Sequence, residues 1–154
     1  MADSTIPAAI TALMSMFAAA LPDVAVFDSD VTGAVPDEYV GVAFPDAEDP
    51  TTSPAVTFEQ DWGGIGGAPL REEFEIRCEI ATWSGGDTLA ARRVRALALF
   101  ASCQNAVRAD HGLQSSISAS GSARVSGGQM VTGDSPQGPL CTLNFTVQVS
   151  NVRI

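Results

Sequence analysis

The chain has few cations. Eight Lys and Arg stand against 18 Asp and Glu, a formal net charge of −10 at pH 7. Gripping a nucleic-acid backbone takes clustered Lys and Arg to neutralise phosphates, so this balance argues against that role. An acidic wall instead repels DNA and lets it pass without sticking. Histidine is scarcer still, with His111 alone, and the cysteines are Cys78, Cys103 and Cys141, none in a Cys-x-x-Cys spacing. An odd set of thiols far from any second ligand gives neither a structural zinc nor a disulfide framework. They read as buried free thiols in a reducing compartment. Long apolar runs are missing too: AAITALMSMFAAAL (8–21) falls short of the roughly 20 residues of a membrane span. No Lys or Arg precedes that stretch, so the positive region of a signal peptide is lacking. The expectation is a product made in the cytoplasm without a targeting segment.

What is present suffices for one domain over 1–154: 45% of residues are hydrophobic and the mean hydropathy is +0.16. Ile6, Ile10, Leu13, Met14, Phe17 and Leu21 recur at three- and four-residue steps and predict an amphipathic helix. Ser4 or Thr5 can cap it, and Pro22 stops it. VAVF (24–27) and YVGVAF (39–44) read as short strands, separated and followed by loops rich in Pro, Asp and Thr. The loop at 45–54 is acidic and exposed. In 55–62, Val56, Phe58 and Trp62 alternate with Thr57, Glu59 and Asp61. GGIGGAP (63–69) then joins two strands, not a strand and a helix, so it is not a dinucleotide phosphate loop.

The next strand places Phe74, Ile76, Cys78 and Ile80 on one parity and Glu73, Glu75, Arg77 and Glu79 on the other. SGGD (84–87) turns the chain, with Ser84 or Asp87 capping a long helix over 88–110. Its apolar stripe runs through Leu89, Ala96, Leu97, Phe100, Cys103 and Val107, with Arg92, Arg95 and Arg108 toward a polar side. Residues 114–139 are small and glycine-rich, either a slender strand or an arm that orders against a partner. CTLNFTVQVS (141–150) alternates cleanly, and its parity changes after Ser150, which suggests a bulge or a separate tail in NVRI. The sum is an α+β fold, one largely antiparallel sheet packed by two helices, with extended loops or an arm.

Two function classes remain. Glu73 or Glu75 could serve a small acid–base enzyme or an acidic ligand-binding domain, but carboxylates on an exposed strand face lack the apolar pocket that raises a catalytic pKa. One histidine and scattered serines form no nucleophile–base pair. The other class is a non-enzymatic assembly protein, with no catalytic, metal or cofactor residues. Candidate subunit-interface residues are then the basic helix side, Arg92, Arg95 and Arg108, and the acidic strand face, Glu73, Glu75 and Glu79.

Four stretches carry a family resemblance: IPAAITALMSMFAAALPDVAVFDS, EYVGVAF, REEFEIRCEIATWSGGDTLAARRVRALALFASCQNAVRAD and LCTLNFTVQVSNVRI. The chain resembles the tail terminator (tail-completion, minor tail) proteins of long-tailed bacteriophages over most of its length, except the 45–54 loop and part of 114–139. The resemblance lies in the charged strand, the small-residue turn and the Ala/Arg-rich helix. It implies a structural virion protein at the head-proximal end of the tail. As a ring, expected to be hexameric, it would cap the tail tube, end tail assembly and form the joint to the head connector. Its partners would be itself, the tail tube protein and a connector or neck protein, with genomic DNA crossing the channel unbound and no membrane involved. Another neck or head–tail connector protein is the alternative within the same class. The family pattern assigns no individual functional residue.

Overall fold

Residues 70–83 form the middle strand of the sheet. The structure, a computed structural model, describes residues 4–31, 33–62, 70–136 and 138–153. Their elements run α1 (Ile6–Ala20), β1 (Ala25–Asp28), β2 (Glu38–Val42), β3 (Val56–Trp62), β4 (Leu70–Trp83), α2 (Leu89–Ala109), β5 (Ser122–Ser135) and β6 (Gly138–Arg153). This is the expected α+β fold, an open sheet ordered β1-β2-β4-β6-β5 with β3 also paired to β4. β4 gives one whole edge to β6 and divides the other: β3 pairs with Leu70–Ile76 and β2 with Cys78–Thr82. Only β1 and β2 run parallel among the described strands. The 63–69 connection lies outside the described residues.

Both helices cover one face of the sheet. Phe74, Ile76, Cys78 and Ile80 of β4 and Leu143, Phe145, Val147 and Val149 of β6 point at them and are buried. Phe145 sits between the helices, its ring centroid 6.1 Å from Phe17 of α1 and 5.3 Å from Phe100 of α2. Each such side chain taken from water contributes about 1.5–3 kcal/mol, so this layer supplies most of the driving force. Cys78, Cys103 and Cys141 are free thiols inside it. Burial pushes the Cys103 thiol up to about 12 and raises Cys78 and Cys141 as well, which leaves them unreactive.

Three local expectations change. Thr88, not Ser84 or Asp87, caps α2: its Oγ1 accepts from the Ala91 N–H, while Asp87 accepts from the Thr88 N–H. Leu97 belongs to the outer side of α2, 48% exposed, and Leu99 takes the inward place. Helix α2 thus carries apolar residues on two faces, which a single-stripe reading cannot separate. The expected alternation of β3 holds, with Val56 and Phe58 on the face of Ile76 and Phe74, but Phe58 is 58% exposed because β3 lies at the margin of the sheet, beyond the helices. Finally, β6 holds its register with β4 through Arg153, with no parity change after Ser150. Asn151 keeps the inward place and is 1% exposed; a polar side chain in a core slot gave the false signal. The bulge lies in β5 instead, between Ser126 and Gly128, where a β-carbon on Gly128 would fall on the Asn144 carbonyl.

Residues 122–135 are therefore a strand, paired with β6 along its length. Beyond the bulge every residue from 127 to 134 is exposed, with no helix over it.

Candidate functional site

The sheet face away from the helices is divided in two. Over β1, β2 and the C-terminal half of β4, Phe27, Tyr39, Phe44 and Trp83 form an aromatic cover, with ring centroids 5.8–6.3 Å apart around Tyr39. Gly41 makes this possible, because a side chain there would occupy the space of the Phe44 ring. Arg77 donates to the Phe44 carbonyl at 2.7 Å and holds the segment down. The following loop is tied to itself: the Asp46 N–H donates to the Ser53 carbonyl and the Ser53 N–H to that of Asp49.

Over the N-terminal half of β4 the face is bare and forms an open groove of about 580 Å³ across β3, β4, β6 and β5. Strand register builds it in rows. Glu59, Glu73, Ser150 and Ser122 make one row, and Thr57, Glu75, Gln148 and Arg124 the next. The second row is hydrogen-bonded: Arg124 Nε donates to Gln148 Oε1 and Gln148 Nε2 to Glu75 Oε1, each at 2.9 Å. The first is not. Glu59 and Glu73 face each other directly, and no cation among the described residues pairs with either. Like charges opposite one another weaken a strand pair. The groove thus carries, at Glu59 and Glu73, negative charge that no cation among the described residues offsets. An exposed strand face with no cleft was expected for Glu73 and Glu75; the face is exposed, but its neighbours fold it into a groove.

Of the six candidate interface residues, the structure brings Glu73 and Glu75 together there and separates the rest. Glu79 lies under the aromatic cover, accepting from Tyr39 Oη at 3.1 Å, with Arg77 Nη2 4.0 Å away. Arg92 pairs with Asp87 at 2.6 Å and donates to Thr82 Oγ1, and Arg95 pairs with Glu38 at 2.8 Å. Arg108 is exposed and, like Arg93, has no partner among the described residues. His111 is exposed at the end of α2, on the helix side of the sheet and away from the groove. No group of three or more His, Cys, Asp and Glu among the described residues could hold a metal ion. None of their helices is long and apolar enough to cross a membrane.

One polar residue of consequence was missed. Glu72 shares the inward parity of Phe74 and is fully buried, without a cation. Its Oε1 accepts from the Thr5 N–H at 2.9 Å, Thr5 Oγ1 at 2.7 Å and Ser4 Oγ at 3.2 Å, and its Oε2 accepts from Gln60 Nε2 at 2.8 Å. Asn151, opposite Glu72 on β6, donates to Thr5 Oγ1 and accepts from the Ser118 N–H. Thr5 precedes the first turn of α1 and its own side chain caps nothing there, so Glu72 is the anion at that helix N-terminus. Burial pushes its carboxyl up, but the hydrogen bonds from Thr5, Gln60 and Ser4 outweigh it and hold the pKa below the ordinary value. A carboxylate among apolar positions was the available signal, but its donors come from far along the chain.

Glu79 shifts the other way. Burial raises its carboxyl, and neither the Tyr39 hydrogen bond nor Arg77 cancels that. A folded pKa above the unfolded one means that stability is lost as pH rises through the carboxylate range. Glu79→Gln, which still accepts from Tyr39, is therefore expected to equal or exceed the wild type in thermal midpoint at pH 7 and to lose that advantage near pH 4. A variant melting several degrees lower at pH 7 would contradict the assignment.

Compared with protein-family models and with curated proteins, the chain matches none.

Proposed function

We propose that the protein is a structural virion component of the tail-terminator kind. It forms a ring on the head-proximal end of a long phage tail, ends tube growth and joins the tube to the head connector. The observation that carries this reading is the outer half of β5. Residues 127–134 form an edge strand with both faces in water, including Met130 and Val131 at 41% and 62% exposure, and Asp134 is its only charge. A lone domain usually blunts such an edge with lysine, proline or a covering helix. An assembly subunit leaves it for its partners. The acidic surface supports the same reading, since a channel of that sign passes DNA without binding it. The resemblance noted in the sequence supplies the ring and its neighbours. A connector protein of the neck would share these features, and the two differ in what they touch.

The test is the mass of the purified protein alone and with tail tubes, electron microscopy of the mixture, and tail lengths in particles lacking it. Expected are closed rings of about six copies capping one end of each tube, with tails of abnormal length in the protein's absence. Single copies under every condition, together with normal tails without it, would overturn the proposal. Normal tails that fail to join heads would move it to the connector.

A further inference from the structure

The ring reading leaves open which surfaces meet, and two unsatisfied ones are present on the same chain. One is the outer face of α2. Val94 and Leu97 are 69% and 48% exposed, and Ala98 and Ala101 continue the row at helical spacing. Arg93 stands beside its start and Arg108 at its far end, both exposed and unpaired among the described residues. The other is the groove, with Glu59 and Glu73 face to face and Thr57, Glu75 and Gln148 in the row beside them. Four strands about 4.8 Å apart make a floor roughly 14 Å wide. A helix with its side chains measures about 10–12 Å across, so one fits.

We infer that copies of this chain associate head to tail, the Arg93–Arg108 ridge of α2 in one copy seating in the Glu59–Glu73 groove of the next. This rests on the ring reading and names its interface. Arg93 would neutralise the facing carboxylates, which no cation among the described residues of their own chain pairs with, and Val94 and Leu97 would lose their exposure against the floor of the groove. Arg92 and Arg95 take no part, since each already holds a carboxylate within the subunit. Because ridge and groove are different surfaces, each contact leaves one of each free, and the chain of contacts ends only by closing.

Salt alone is a poor probe, because it screens the repulsion between copies of net charge −10 along with the local attraction. Charge exchange separates the two. Arg93→Glu and Glu73→Lys, both exposed positions, are compared with wild type by sedimentation of the full-length chain, with thermal melting as the folding control. Each variant alone is expected to associate at least about tenfold more weakly. An equal mixture recovers assembly, since every contact then pairs opposite charges, and so does the double variant carrying both changes. Leu97→Ser, which alters no charge, also weakens association. Folded single variants that assemble like wild type would overturn the ridge-and-groove pairing while leaving the ring standing. So would a mixture that stays apart, or a Glu73→Lys effect without an Arg93→Glu effect, which would give the groove to a different surface of the neighbouring copy. A wild-type chain that stays single even with tail tubes would remove the pairing, and with normal tails in its absence would remove both proposals.

Discussion

Replacing Phe145 with alanine should destabilise the domain by about 4 kcal/mol, the middle of the range for a fully buried aromatic. Phe145 is 1% exposed and is the one β6 side chain whose ring meets an aromatic ring from each helix. Truncation removes its own burial and opens a void that Phe17 and Phe100 cannot both fill, being fixed to separate helices. A domain whose total stability is about 5–15 kcal/mol would keep a small remainder. In urea, with a slope near 2 kcal/mol per M, the midpoint should fall by about 2 M. A fall below about 0.5 M would mean that the helices close the gap, and that the core is looser than its packing implies.

Glu72→Ala should follow at about 3 kcal/mol. Roughly 1 kcal/mol is the loss of a helix cap, and the rest is the desolvation of buried donors left without an acceptor, about 1–3 kcal/mol. Glu72→Gln is the sharper variant, because its amide keeps the shape but turns an N–H₂ toward one of the donors. The pH dependence has a fixed sign. The folded pKa lies below the ordinary value of 4.5, so the carboxylate's contribution is complete above the unfolded pKa. It is lost as pH falls through the folded one. The gap between wild type and Glu72→Gln should be full at pH 6 and shrink below pH 4. The backbone amides of the first turn of α1 should exchange faster in the variant. Parallel unfolding curves at every pH would show that the carboxylate caps nothing.

The layer architecture was legible in the sequence because parity and helical spacing are local. Phe74, Ile76, Cys78 and Ile80 declare the inward face of β4 whatever lies opposite. The groove was not legible, since Glu59, Glu73, Ser150 and Ser122 become a row only when three strand registers are known. Glu72 and Asn151 failed for a related reason. Each breaks an apolar pattern, and each is satisfied by the other's neighbourhood and by the start of α1, which no short window contains. Arg92 and Arg95 divide the same way. The partner of Arg92, Asp87, sits one helical turn and a cap away, whereas Glu38 reaches Arg95 through the fold of β2 onto β4.

The strand pair at the middle of the sheet also sets a schedule. Between β4 and β6 the ribosome must make all of α2 and β5. Until β6 emerges, β4 has only the short strands β2 and β3 at one edge and an open ladder at the other. The apolar row of Phe74, Ile76, Cys78 and Ile80 then lacks half its neighbours. Pairing so distant in sequence is slow to nucleate. A nascent chain halted after β5 should therefore be held by chaperones or aggregate, and the proposed ring could begin to form only after the central ladder closes.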